Sequence, residues 1–426
     1  MTTYTTDTTF TVGAGGDFTT IKAALDSLLG AIIAYDTIVT LQLLAQDYPI
    51  TEPIVLAHPY GNRIKIKAAV ETTLIFNNIV SLVSNAAGDH SLTVNFNDVS
   101  SCSVGDFITV KTLVGIGDFK SLEGTWEVTA VNTGSGTLTL KVKDRRASRE
   151  TFTVTSGSFK KQNSIIKAIG CTGIVVNKDF GDGSGQKTGL HDICIVGDGT
   201  PLLSGILVEY SNKLSGLRTK VVNFGRYGVY GIYNATINGL LWCASGNGSN
   251  GFYMLNGAVG QFVATISTGN NGNGYVASIG SVISSTTCNG SGNLAGQYGI
   301  QSQVISERSF FDGNVNFGVF LDKASYSDLD GTTTTPSTTR YNGQYGIRLD
   351  NGSEALFDDA ISSNNGIVDF RLDNDSKLKV KDTTYSTSEL SGLSVLSNLA
   401  NAPDELSLDR LTAKEYVKTQ VVRPLN

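Results

Sequence analysis

The chain is predicted to be all-β, a right-handed parallel β-helix. Three observations carry that prediction: a glycine that returns at a near-constant interval, apolar–polar alternation after each glycine, and joints rich in Asn and Gly. The repeated phrases open at Gly205 (GILVEY), Gly228 (GVYGIY), Gly251 (GFYMLN), Gly274 (GYVASI), Gly299 (GIQSQV), Gly318 (GVFLDK) and Gly346 (GIRLDN). The interval is constant from Gly205 to Gly274, then lengthens, shortens and lengthens again. Self-similarity on this scale marks a solenoid, in which each repeat buries its apolar face against its neighbours. The alternation (Ile206, Val208; Val319, Leu321; Ile347, Leu349) has the period of a strand. No apolar stripe of helical period runs through 200–380, and the LxxLxL pattern of leucine-rich repeats is absent. The joints at 245–251, 269–274, 288–293 and 362–366 supply the Asn and Gly that tolerate left-handed corners.

In chain order, the first segment spans 1–85. Residues 18–29 read as an amphipathic helix, with Ile21, Ala24, Leu25 and Leu28 on one face, Asp17 as N-cap and Gly30 as C-cap. A helix laid over the first coil protects an open sheet edge. Strand-like runs at 37–44, 53–57 and 63–68 read as opening coils. The rhythm breaks over 86–160, where alternating strands joined by Gly, Asn and Ser turns predict an inserted small β-barrel or sandwich. The coil pattern resumes over 161–387, and 388–426 reads as a C-terminal cap or assembly tail.

Composition narrows the function. A net charge of -6 and a pI near 5.2 argue against nucleic-acid binding. No apolar run is long enough for a membrane span, and the opening MTTYTTDTTF has neither the basic nor the apolar part of an export signal. The five cysteines (Cys102, Cys171, Cys194, Cys243, Cys288) form no CxxC pair and read as reduced, buried thiols. Cys171 and Cys194, one coil apart, are expected to stack inside the solenoid. The three histidines show no metal-ligand spacing, so neither metal nor cofactor is expected.

Catalysis has one candidate group. Asp322 and Asp350 share one slot after their coil glycines, and Asp330 and Asp358 share a later one. Stacking puts each pair roughly 5 Å apart, a separation suited to a retaining glycosidase. Glu307, with Arg308 beside it, is a further candidate one coil earlier. The competing reading is that strand ends and corners commonly carry Asp. Tyr227, Tyr298, Phe317 and Tyr345 each precede a coil glycine. They read either as a stack inside the coil or, with Arg308, as an exposed ladder for sugar rings. The basic run KVKDRRASR (141–149) reads as a solvated strand edge or as a contact for an acidic glycan or subunit.

The segment GAGGDFTTIKAALDSLL (13–29) resembles the opening of pectin methylesterase and pectate-lyase-type β-helix proteins, where a G-[DEN]-[FY]-x-T-I-x-x-A-[IL] phrase forms the capping helix. Bacteriophage tailspikes and tail fibres share that opening. GIVDFRLD (366–373) resembles the catalytic segment of pectin methylesterases around Asp369, but the family's Gln-Asp and Arg-x-Trp segments are missing, which argues against an esterase. The tailspike resemblance implies a side-by-side homotrimer in the virion. Assembled in the host cytoplasm and attached to other phage tail or baseplate proteins, it would recognise host surface polysaccharide. The expected function is receptor binding; the alternative is a polysaccharide depolymerase, a glycoside hydrolase or lyase.

Overall fold

The computed structural model describes residues 2–84, 89–117, 119–144, 152–385, 388–390 and 395–398. The fold is all-β and dominated by long parallel sheets that the chain visits in rotation, an arrangement compatible with a parallel β-helix. Sheet I has 13 strands, from Thr8–Val12 to Val395–Asn398. Sheet II has 11, from Ile54–Leu56 to Ser388–Leu390. Sheet III has six, from Asp47–Ile50 to Ile266–Thr268, and single bridges through Asn289 and Phe310 carry it on to Thr338. Among the described residues no helix is long and apolar enough to cross a membrane.

From Asn247 onward, each coil turns from sheet III to sheet II at an asparagine. Asn247 Nδ2 donates to Asn270 Oδ1 at 2.9 Å, and Asn270 to Asn293 at 3.0 Å. Asn314 donates to Asn342 and Asn342 to Asn365, while Asn293 donates its backbone N–H to Asn314 Oδ1 at 2.9 Å. The last rung ends on Asp369, whose carboxylate accepts from Asn365 at 2.7 Å. Most of these amides are fully buried, so stacking at the inter-strand spacing is what satisfies them.

The ladder explains the glycine beat. A Cβ on Gly228, Gly251, Gly274, Gly318 or Gly346 would lie within 3.0 Å of the nearest ladder amide nitrogen. The same Cβ would strike the next coil's backbone: 2.6 Å from Gly296 O at Gly274, and 2.8 Å from Gly318 O at Gly296. That column also corrects the sequence phase. The fifth member is Gly296, not Gly299, because Gly299 pairs with Ala277 and Leu321 within the strand. The two nearby glycines of GQYGI make a regular coil look alternately long and short.

The helix is Ile21–Leu28, shorter than the sequence suggests, and Ile21, Ala24 and Leu28 point into the core. Thr20, rather than Asp17, caps it by accepting from Ala23 N; Asp17 instead holds the Thr11 backbone N–H at 2.7 Å. At the other end His58 meets the Leu28 carbonyl at 2.8 Å.

Residues 72–161 form a seven-stranded antiparallel sheet with its own core around Trp126, Phe96 and Phe159. It begins at Thr72, earlier than the break in the glycine rhythm. Its two ends meet on one coil: Thr72 pairs with Lys161, and Ala69 N donates to Ser164 Oγ at 3.0 Å. The solenoid resumes in phase, with Ile165–Ala168 beside Asp47–Ile50. The inserted domain is docked along sheet III. Lys111 Nζ donates to Leu241 O, Thr125 N to Ser245 Oγ and Asn289 Nδ2 to Glu123 Oε2, at 2.8 to 3.0 Å. It covers the outward row Cys194, Lys220 and Cys243, and buried Lys220 pairs with Glu71. Cys194 therefore faces the inserted domain and does not stack on Cys171 inside the coil. The described part of the basic run, 141–144, does not lie on a sheet edge either, because Thr137–Lys143 is flanked by strands on both sides. Arg145, Arg146 and Arg149, and most of the tail 388–426, lie outside the described residues; the strands Ser388–Leu390 and Val395–Asn398 continue sheets II and I.

Two substitutions test the ladder. Asn293→Ala leaves buried partners unpaired and is expected to lower stability by about 1–3 kcal/mol. Gly274→Ala drives a methyl into backbone and is expected to lower the melting temperature at least as much, although Gly→Ala elsewhere in a strand is often favourable. Thermal unfolding followed by circular dichroism checks both; unchanged melting of Gly274→Ala would contradict the packing described.

Candidate functional site

Sheet II carries the most distinctive outer surface. Beyond each corner glycine the first strand residue points inward and the second outward, so Val229 and Phe252 are interior while Tyr230 and Tyr253 face out. In strict register the outward row continues Tyr230, Tyr253, Val276, Tyr298, Phe320, Arg348, Arg371. At strand spacing this row is roughly 30 Å long. Tyr227, Phe317 and Tyr345, each just before its glycine, flank it. Tyr227 lies 4.9 Å from both Tyr230 and Tyr253, Tyr298 lies 5.0 Å from Phe320, and Phe317 stacks on Tyr345 at 5.8 Å. The expected interior stack also exists, but from other residues: Phe252 and Tyr275 lie parallel at 5.2 Å inside the coil.

Ionic groups take over toward the C-terminal coils. The Arg348 guanidinium sits 5.3 Å from the Phe320 ring centre and 5.7 Å from that of Phe317, while its nitrogens hold Asp350 at 2.8 and 3.2 Å. Arg371 bonds Asp373 at 2.7 Å and the Tyr345 hydroxyl at 3.2 Å. Asp322 accepts from Asn351 at 2.6 Å. Burial, then the Asp322 and Asp350 charges, raises the Tyr298 hydroxyl above its usual pKa. Burial also raises Asp350, against the pull of Arg348. Planar guanidinium–carboxylate pairs beside half-buried aromatic rings offer both stacking and directional hydrogen bonds to hydroxyl-rich ligands.

The proposed carboxylates divide between two sheets. Asp322 and Asp350 follow the paired Leu321 and Leu349 on sheet II. Glu307, Asp330 and Asp358 form one outward column on sheet I, in direct register, and the turn at 331–336 leaves that register intact. Asp328 lies on the same face of the strand as Asp330, one outward position earlier. Partial burial and the neighbouring Asp330 push Asp328 up to about 6, with a smaller contribution from Asp358. The Oδ1 atoms of Asp328, Asp330 and Asp358 are shielded from solvent without a hydrogen-bond partner. Lys381 from the following coil holds Asp358 at 3.0 Å. Carboxylate oxygens of Asp358, Asp359 and Asp382 approach within 4.8 Å of one another.

Arg308 stands apart from the aromatics. It follows sheet I at a left-handed corner and pairs with Glu307 at 3.1 Å. Asp369 is 1% exposed and holds the asparagine ladder, so it is closed to a substrate. Sequence reasoning missed Phe320, Arg348, Arg371 and Asp328. Phe320 and Arg348 occupy the same slot after a coil glycine, and aligning that column exposes the row once Gly296 is put in phase.

Asp328 makes the stability pH-dependent. Its folded pKa lies above the ordinary 3.8. Its contribution is therefore complete below about pH 4 and is lost as pH rises through 6. Because the group is only partly buried, solvent screening reduces the effect to about 1 kcal/mol. Asp328→Asn should raise stability by about that much at pH 7.5 and leave it unchanged at pH 4, as read from urea unfolding at the two pH values. An equal effect at both would remove the electrostatic explanation.

A scan against protein-family models matches no family, and a search of curated proteins finds no significant match to this chain.

Proposed function

We propose that this chain is a bacteriophage tail fibre or tailspike that recognises host cell-surface polysaccharide through the outer face of sheet II. In this reading the fold is a right-handed parallel β-helix, the helix Ile21–Leu28 caps its first coil, and three copies assemble side by side on the virion, docked to other tail or baseplate proteins. The observation that carries it is the outward row from Tyr230 to Arg371, with its aromatic rings and paired arginine and carboxylate groups. Rings exposed on one side bind the apolar faces of sugars, and guanidinium and carboxylate groups are donors and acceptors for sugar hydroxyls. The resemblance of residues 13–29 to β-helix openings supports the same assignment.

A second reading, a depolymerase, is favoured by one observation. Asp328, held protonated into the range of pH 6, adjoins Asp330 and Asp358, an environment that separates an acid from a base. In it Asp328 donates a proton to a leaving group while Asp330 or Asp358 acts as base or nucleophile.

The test is incubation with capsule and lipopolysaccharide from candidate hosts, with binding and cleavage measured separately. Receptor binding predicts saturable retention, and a Tyr298→Ala, Phe320→Ala double variant should weaken it on the order of tenfold. Retention unchanged in that variant would overturn the assignment of the face. New reducing ends or unsaturated sugars, abolished by Asp330→Asn, would establish the depolymerase; their absence leaves binding alone.

A further inference from the structure

The basic run that opens at Lys141 finds its setting in a cleft of about 460 Å³ between the inserted domain and the outer face of sheet III. Buried Phe107, Val196 and Val222 give it an apolar floor. Alternation along Thr137–Lys143 sends Val142 into the domain core and leaves Lys141 and Lys143 facing the cleft. Lys167 approaches from the solenoid side, and Glu127 and Asp198 complete the charged lining.

The three lysines are not equivalent. Lys141 is neutralised by Asp89 at 3.0 Å and Lys167 by Asp47 at 2.6 Å. Lys143 has no such partner among the described residues. Its ammonium donates to the Gly246 carbonyl at 2.9 Å, using one of its three donors. Burial pushes its pKa down, with Asp89 opposing more weakly. A partly buried cation without an ion pair is unfavourable, and an incoming anion relieves it. Apolar clefts of this size at domain junctions, with a few convergent polar groups, are where small ligands bind.

We propose that this cleft binds an anionic sugar unit, its carboxylate or phosphate against Lys143 and its apolar ring face over Phe107, Val196 and Val222. The site lies on sheet III, away from the row on sheet II, and stands whether or not that row binds glycan.

The test uses the full chain and three probes: oligogalacturonate, an uncharged galacto-oligosaccharide of equal length, and inorganic phosphate. Calorimetry gives affinity. Tryptophan fluorescence gives location, since Trp126 lines the cleft and Trp242 is buried in the solenoid core. The expected result is saturable binding of oligogalacturonate, at least tenfold weaker binding of the uncharged sugar, and competition by phosphate. Lys143→Met should weaken the acidic probe tenfold or more, and Lys143→Arg should restore most of it. Ile169→Trp, at a half-exposed position on the rim, obstructs the cleft without touching the cation and should also abolish binding. It decides the matter if Lys143→Met fails to fold. Equal affinity for charged and uncharged sugars, binding of phosphate alone, or indifference to Ile169→Trp would each overturn the proposal. So would loss of oligogalacturonate binding in the Tyr298→Ala, Phe320→Ala variant, which would move the ligand to sheet II.

Discussion

The structure depends on one tight place, the corner where sheet III passes to sheet II. There a buried asparagine amide lies under the backbone of the next strand, and the residue above it must be glycine. A Cβ at Gly251 would come within 2.9 Å of both the Asn270 amide nitrogen and the Gly274 carbonyl. Neither atom can retreat, because the amide is held by its neighbours above and below and the carbonyl belongs to the strand ladder. The glycine column and the asparagine column are therefore a single device. It fixes the phase of the coils from Gly228 onward while leaving the other two corners free to vary. The long interval from Gly318 to Gly346 shows the freedom: the turn at 331–336 absorbs the excess, and Phe317 still stacks on Tyr345.

With the phase fixed, the three outer faces are released for different uses. Sheet III presents Ile165, Cys194, Val196 and Val222 outward, too apolar to stand in water, and the inserted domain covers them with Phe107. That explains why the insertion lies along the solenoid although both its ends leave from one coil. Polar contacts join the two as well, and Glu71, at the threshold of the insertion, neutralises a lysine that is 1% exposed. Losing Glu71 would leave that ammonium unpaired in the interface, which is more damaging than never having placed the pair there. Sheet I bears carboxylates on its later coils, followed by Lys377, Lys379 and Lys381 in the last full coil.

Much of this is legible in the sequence, and the exceptions have physical causes. The period, the strands and the alternating insertion can be read because each depends on neighbours within a coil. The misplaced glycine at 299 arises because a strand glycine and a corner glycine look alike in sequence, although only the corner one, Gly296, is pressed by the backbone of the next coil at Gly318. The aromatics cannot be sorted into inside and outside for the same reason, since a two-residue alternation fixes the faces only relative to a known phase. Asp330 and Asp358 can be paired by counting. Asp328 cannot be singled out, because the burial that mainly sets its environment comes from the packing of neighbouring coils and cannot be counted along the chain. The docking of the inserted domain on Cys194, Lys220 and Cys243 leaves no local trace, as its partners lie far apart in sequence, as Asn289 and Lys120 do.

The same stacking that fixes the core gives the proposed binding surface a direction. A polymer lying along the solenoid axis meets one coil roughly every 4.8 Å, so a repeated side-chain position becomes a repeated contact. On sheet II that position is not uniform. It is largely aromatic from Tyr230 to Phe320 and cationic at Arg348 and Arg371, where Asp350 and Asp373 hold the guanidinium groups in place. A chain bound in one orientation would set its stacking rings and its hydrogen-bonding groups against matching halves of the row. Reversed, it would put polar groups on the tyrosines and leave the ion pairs desolvated without compensation. A polymer bound on the proposed face would be read in one direction through two constraints acting together: the register set by glycine and asparagine inside the coil, and the change from aromatic to arginine outside it.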